Sequence, residues 1–397
     1  MGNIGSGTRD QIFIDAFSVS PMGKSTREPT RFGRSRPIVR IAPNEYSIDD
    51  PAAAKVIYGS GRGFVKSPWY QASGSPYSTV TNIFTEPDPH LHATARRKIA
   101  AAYSMTSLVQ LERFVDECTA VLRTRLEEFA ESGASVDISH WMQCYAFDVI
   151  GKITMGSKKL SGLQNVRNFA TTWVEAKVAR FQSEKDWTSP NATTDIITRL
   201  LRGHDNDPGK ISKAEILTAG IMNVGAGSDT TSIAFSAAIF NLLKHPSSLR
   251  QLQEEIREYE ARGIISDPIK FSEAQKMPYL QAVIKEALRA VVGINSWVAH
   301  ANQEVFGPDA NAFRPERWLE EPEVVKKRES YFMAFGQGSR TCIGKNISLM
   351  ELSKVIPQIV RHFNLTPDTD SNKPEWRIEN VWFVKTRDFY CKVSKIS

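Results

Sequence analysis

The sequence predicts a mainly α-helical domain with small β-sheets at its margins, an α+β class in which helix dominates. Three observations carry that expectation. Apolar residues recur at helical spacing through most of residues 50–290. Helix start signals stand ahead of several of those segments. Short runs that alternate apolar and polar residues occur near residue 40 and in the tail.

Residues 1–36 are polar and rich in Gly, Ser and Arg, which predicts a loose amino-terminal segment. Residues 37–48, PIVRIAPNEYSI, alternate around a Pro-Asn turn and predict two short strands. Asp50-Pro51 then supplies an N-cap and a first-turn proline for a helix over AAAKVIYG. Helical periodicity continues over 89–103, 106–131, 139–156, 164–182 and 191–203. Ser212 and Glu215 form a capping box, and the apolar pattern behind them runs to Lys244, where His245-Pro246 stops it. A charged helix follows over 246–262, ended by Gly263, then a shorter one over about 278–290. Residues 345–363 predict a last helix with Pro357 inside it as a kink. In the tail, WRIENVWFVKT and FYCKVSK alternate like a pair of strands. No repeat or linker interrupts residues 37–397, which therefore predict a single domain.

Composition narrows the function classes. A chain of 397 residues with 41% apolar content can bury one large core, and 24% charged residues suit a folded rather than a disordered chain. The net charge of +6 is modest, and no long Lys/Arg run, zinc-finger spacing or RNA-binding signature appears, so no nucleic-acid partner is expected. The four cysteines, Cys118, Cys144, Cys342 and Cys391, lie too far apart for a CxxC zinc site and suggest no disulfide framework, which points to a reduced compartment. The first residues lack a basic segment followed by an apolar core, and no run approaches the ~18 apolar residues of a spanning helix. Neither a signal peptide nor a membrane anchor is expected from the chain as written.

The strongest chemical signal is FGQGSRTCIG at 335–344. It sets Cys342 on a tight loop leading into a helix that starts at Lys345. Gly338 and Gly344 are expected to permit backbone geometry and close approach that a side chain would forbid. A helix amino terminus and backbone N–H groups aimed at sulfur favour thiolate over thiol. Arg340 adds a cation suited to a carboxylate. A lone cysteine is otherwise a small buried hydrophobe. Three further patterns occur. AGSDTT at 226–231, with Gly225 ahead of it, puts two glycines (Gly225, Gly227), a carboxylate (Asp229) and a hydroxyl (Thr230) midway along an apolar helix. Such hydroxyls also bond back to their own helix around a packing glycine. EALR at 286–289 sets Glu286 and Arg289 on one helix face, in isolation an ordinary surface pair, and FRPERW at 313–318 brings Arg317. His92 and Arg96 stand one turn apart after EPDPH, a spacing that a solvated basic face would also show.

Together, in this order, the patterns resemble the cytochrome P450 family of haem-thiolate monooxygenases. FxxGxRxCxG matches the family's haem-binding loop at every fixed position. The resemblance covers roughly residues 37–395, and the wording of GFVKSPWYQ, EPDPHLHATARRKIA and VFGPDANAFRPERW is similar to filamentous-fungal members related to pisatin demethylase. It implies a helical prism holding haem b, with Cys342 as the iron's axial ligand and Phe335, Gly338, Arg340 and Gly344 around it. His92 and Arg96 would face the haem propionates. Asp229 and Thr230 would relay protons to dioxygen, and Glu286, Arg289 and Arg317 would form a buried structural triad. The implied reaction inserts one oxygen atom from O2 into a small organic substrate, by hydroxylation or O-demethylation in fungal secondary metabolism. Electrons would come from an NADPH-dependent P450 reductase, because the chain shows no flavin or nicotinamide fingerprint. Arg97, Lys98 and the Lys326–Arg328 cluster are the expected basic face for it. Two departures stand out: Arg289 runs almost directly into AVVGINSWVAH, and 170–190 runs quickly into TDIITRLL. The substrate roof and the segment after the EALR helix are expected to be shortened and the prism incomplete. A haem-binding but catalytically impaired product is therefore the alternative expectation.

Overall fold

The computed structural model describes residues 38–43, 45–59, 64–68, 70, 80, 82–156, 172, 174–179, 181, 194–291, 299–368, 377–380 and 384–396. The loose segment expected at 1–36 and most of the helix expected at 164–182 lie outside them.

β1 (Ile38–Ala42) and β2 (Glu45–Ile48) pair antiparallel, Ile38 opposite Ile48 and Arg40 opposite Tyr46. The Asp50 carboxylate accepts the Ala52 N–H at 2.7 Å and opens α1 (Pro51–Tyr58). Asp88 does the same for α2 (Pro89–Ile99), accepting from His90 and Leu91 at 2.7 and 2.9 Å. A 3-10 turn, Ala100–Tyr103, follows. The single helix expected over 106–131 is two, α3 (Met105–Val109) and α4 (Glu112–Ser132). The bend between them turns Leu108 and Leu111 inward, and both are fully buried. Burying two leucines, at about 1.5–3 kcal/mol each, outweighs the helical hydrogen bonds lost at one bend.

β3 (Val136–Asp137) leads into α5 (Ile138–Met155), and Asp195 caps α6 (Ile196–Asn206). The capping box forms as expected at the start of α7 (Lys213–Lys244): Ser212 N–H donates to Glu215 Oε2 at 2.8 Å, and Glu215 N–H to Ser212 Oγ at 3.2 Å. Next along the chain come α8 (Pro246–Ala261), α9 (Phe271–Ala274), α10 (Pro278–Val291), α11 (Gln303–Phe306), the 3-10 turn Pro315–Trp318, α12 (Pro322–Ser330) and α13 (Lys345–His362). Pro357 lies inside α13.

The tail departs from the expected strand pair. WRIENVWFVKT folds on itself as β5 (Arg377–Asn380) and β6 (Val384–Arg387), while β7 (Tyr390–Lys395) lies between β4 (Phe363–Pro367) and β3. β4 continues straight out of α13, which places it beside β7 without a turn signal in the sequence.

α7 is the hub, packing on α5, α6, α8, α10 and α13. Phe235 on α7 meets Tyr145 on α5 edge to face, with centroids 5.4 Å apart. An added Cβ on Gly227 would sit 2.6 Å from Ile150 Cγ1, so the glycine sets how closely α5 and α7 approach. No helix among the described residues is long and apolar enough to cross a membrane.

Candidate active site

The loop 335–344 is closed by the Cys342 N–H, which donates to the Phe335 carbonyl at 2.8 Å. Gly336 and Gly338 turn it, with φ of +67° and +63°. Gly338 has a second reason to be glycine: a Cβ there would fall 1.8 Å from the Tyr58 carbonyl oxygen at the end of α1. Gly344 differs from expectation. Its φ of −81° and ψ of 2° are open to any residue, and it lies directly ahead of α13 as N-cap. The second strained position is Gly336, which sequence reasoning did not single out. A Cβ on Gly344 would lie 3.9 Å from Cys342 Sγ, so its absence keeps space beside the sulfur.

Cys342 keeps solvent contact but is crowded on its other sides. That burial, ahead of other influences, pushes its thiol pKa up. The backbone N–H groups of Gly344 and Lys345 and the charges of Arg96 and Lys345 pull the other way. The sulfur is thus a thiol in the protein alone, in surroundings prepared for a thiolate once a metal ion compensates the burial. Cys118 and Cys391, each pushed up to about 12 by burial, lack that preparation.

Basic side chains converge beside this loop. Arg340 donates to the carbonyls of Glu86 and Pro87 at 2.6 and 2.9 Å, tying the loop to the entry of α2. His92 on α2 is buried and pushed down to about 4, by burial first and then by Arg340, Arg96 and Lys66. Arg96 is half-buried, and burial lowers its pKa while Cys342 raises it. Lys66, held between the Tyr70 and Phe84 rings at 4.4 and 4.5 Å from their centroids, is pushed down to about 7 by burial and by Arg340. Lys66 donates to the Phe84 carbonyl, whereas the side chains of His92 and Arg96 make no hydrogen bond or ion pair among the described residues. Sequence reasoning missed Lys66, since a lone lysine in a loop carries no pattern. Arg96, with no acceptor of its own among the described residues, stands beside Arg340 and Lys66 and suits an anionic ligand, and with one prepared thiol the set fits haem, which carries two carboxylates.

Across the fold, α7 is exposed at Gly225, Ala226 and Thr230, although residues on either side of that stretch are buried. Nothing lies within 4 Å of a Cβ placed on Gly225. The central helix is therefore open to solvent at the AGSDTT stretch. The Thr230 hydroxyl donates to the Ala226 carbonyl at 2.8 Å, the local back-bond open to such a residue. Asp229 Oδ1 accepts from Gln143 Nε2 on α5 at 2.7 Å. No hydrogen bond joins these two side chains to Cys342; their elements, α7 and α13, pack against each other.

Glu286, Arg289 and Arg317 come together, all buried. Arg289 Nη2 and Nε donate to Glu286 at 2.7 and 3.1 Å, and Arg317 Nε donates at 3.1 Å. Trp318 Nε1 and the Arg314 N–H add donors to the same carboxylate at 2.8 and 3.0 Å. The other guanidinium contacts are to backbone carbonyls, among them His300, Phe306 and Ala312, and from Arg317 Nη1 to Asp309 Oδ1 at 3.2 Å. Both oxygens of this buried carboxylate are thus met by donors, as burial of such a group requires.

The basic face is corrected in part. Arg328 is buried, ion-paired to Glu320 at 2.7 Å and bonded to the Arg317 carbonyl, so it serves the triad instead of a surface. Lys98 pairs with Glu215 at 2.6 Å and Lys327 donates to the Glu304 carbonyl at 2.8 Å. Arg97 and Lys326 keep solvent-facing charges.

The Cytochrome P450 family model matches residues 37–178, 158–291 and 290–391. The chain belongs to the cytochrome P450 family. A pisatin demethylase of Fusarium vanettenii is 34% identical over 421 aligned residues, which span 88% of this chain and 79% of that protein. Cytochrome P450 monooxygenase cicH of Emericella nidulans is 32% identical, covering 90% of this chain and 86% of its own length. A cytochrome P450 monooxygenase of Aspergillus terreus is 29% identical, with 83% of each covered. This P450 is an enzyme of the haem-dependent monooxygenase class, and haem b is its cofactor. The internal shortening also registers. The family model matches in three pieces that overlap at 158–178 and meet at 290–291, and the alignment with the demethylase is longer than the 397-residue chain although part of the chain lies outside it. The relatives therefore carry residues where this chain has none.

Proposed function

We propose that this P450 holds haem b through Cys342 and inserts one atom of O2 into a small organic metabolite, by hydroxylation or O-demethylation, the other atom leaving as water. The observation that carries the proposal is the sulfur of Cys342, flanked by N–H groups and by a half-buried Arg96 that has no hydrogen-bond partner among the described residues. Bound haem supplies dioxygen activation, and a thiolate ligand favours O–O cleavage. The protein's share is binding, orientation and protons. Phe335, Gly338 and Gly344 shape the loop around the sulfur. His92, Arg96, Arg340 and Lys66 would hold the propionates. Asp229 would exchange protons with solvent water and Thr230 would pass them on, while Glu286, Arg289 and Arg317 would keep the loop side of the fold rigid. Two electrons and two protons balance each turnover. An NADPH-dependent P450 reductase is the proposed donor, reached through Arg97 and Lys326 among other cations. The demethylase and cicH relationships favour a fungal secondary metabolite as substrate.

A second proposal has an observation of its own in its favour: the missing internal segments favour a haem-binding product with weak or no turnover. Purified protein, a reductase, NADPH and a panel of methoxylated aromatics separate the two. Product formed in proportion to NADPH consumed supports the monooxygenase. NADPH consumption that yields only hydrogen peroxide supports the impaired product.

A further inference from the structure

α5 and α7 cross with polar contacts toward both ends of their seam. Asn223 Nδ2 on α7 donates to Thr154 Oγ1 on α5 at 2.5 Å, and Gln143 Nε2 on α5 donates to Asp229 Oδ1 on α7 at 2.7 Å. Between them Gly227 leaves room for Ile150. The first contact needs only packing to explain it. The second ends on the acid of the acid–alcohol pair.

We infer that Gln143 is the positioning residue for Asp229. The inference rests on the relay proposed for Asp229 and Thr230 and names what holds its acid in place. A short carboxylate on an α-helix swings among its rotamers unless a partner selects one. Gln143 supplies that partner from a neighbouring element, so Oδ1 is committed to α5. Oδ2 accepts no hydrogen bond among the described residues and is the oxygen left to take a proton from water and return it toward Thr230. No electrons move in that step, and the carboxylate ends as it began. The donor's chemistry suits the task. An amide bonds the charged form strongly enough to orient it but brings no cation that would hold the proton away. Thr230 is held differently, by the Ala226 carbonyl of its own helix. The two halves of the pair thus answer to separate elements, and loosening α5 disturbs only the acid.

The test uses the haem-loaded full chain with Gln143→Leu, the isosteric Gln143→Glu, Asp229→Asn and the Gln143→Leu/Asp229→Asn double variant. Unchanged Soret absorbance per chain identifies the variants that fold. The infrared carboxylate band of Asp229, assigned by its loss in Asp229→Asn, is read first, at one fixed pH. Gln143→Leu removes the hydrogen bond to Oδ1, and Gln143→Glu replaces the amide donor with a carboxyl group. Both should shift or broaden the band, because its frequency reports the hydrogen bond to each oxygen. Peroxide formed per NADPH is read second. Gln143→Leu should raise it roughly threefold or more, within the range of general acid–base effects, and should add nothing in the Asp229→Asn background. An unmoved band in both single variants overturns the inference, as does an effect of Gln143→Leu that adds in full to that of Asp229→Asn. If the band moves but Asp229→Asn leaves coupling intact, the proposed relay itself is refuted and the positioning role falls with it.

Discussion

His300 shows how much one residue can carry unseen. It is buried between α10 and the haem-loop approach. Its Nε2 accepts the Met333 N–H at 2.9 Å, and its Nδ1 donates to the Arg289 carbonyl at 3.0 Å, so only the neutral Nδ1–H tautomer satisfies both contacts. Phe332 stacks on it with centroids 5.3 Å apart. Burial, ahead of the nearby Arg289 charge, pushes its pKa down to about 3, well below the 6.5 of an unfolded histidine. Between those values the unfolded chain binds the extra proton and the folded chain does not. The stability is therefore fully present above pH 6.5 and is lost as pH falls toward 3, by an amount on the order of a few kcal/mol. Urea midpoints at pH 7 and pH 4.5 should converge in His300→Phe relative to the wild type; equal pH sensitivity in both would remove His300 from the account. Neither His300 nor Lys66 was legible in the sequence, because each acts through partners distant in sequence or through backbone. Cys342, Glu286, Arg289 and Arg317 were legible because fixed spacings tie them to one chemistry.

At the scale of elements, α7 carries two glycines with opposite duties. Gly225 faces open space and Gly227 faces Ile150. Replacing Gly225 with Ala should leave stability unchanged or raise it by up to about 1 kcal/mol, the helix-propensity difference. Replacing Gly227 with Ala should lower it by about 1–3 kcal/mol, since the clash is with a packed side chain. Thermal or urea unfolding of the two variants checks the contrast, and equal outcomes would contradict it. Thr230→Ala should retain haem and NADPH consumption while diverting flux to peroxide, read by a peroxide assay beside product analysis; wild-type coupling would reduce Thr230 to helix packing. The long helices were legible from period and caps, down to the Ser212–Glu215 box. The break at Gln110–Leu111 and the β3–β7–β4 sheet were not, because core burial and long-range pairing decide them.

For the whole molecule, the Glu286 network joins α10 to the 3-10 turn Pro315–Trp318 and to the segment around Ala312. Glu286→Ala strands two buried guanidinium groups and should cost about 3–5 kcal/mol, seen as lost soluble expression or a lowered unfolding midpoint. The shortening acts at the same scale. A P450 roof excludes water from the reacting centre, and here Thr230 is exposed. Restoring family-length segments after about residue 180 and after Arg289 should raise the ratio of product to peroxide; tight coupling in the unrestored chain would show that the segments are dispensable. The central claim is that Cys342 binds haem iron as a thiolate, and the absorption spectrum of the reduced, CO-treated protein tests it most directly. The wild type should show the red-shifted Soret band of thiolate-ligated haem and Cys342→Ser should lose it, whereas a band retained in the variant, or absent from haem-loaded wild type, would contradict the assignment.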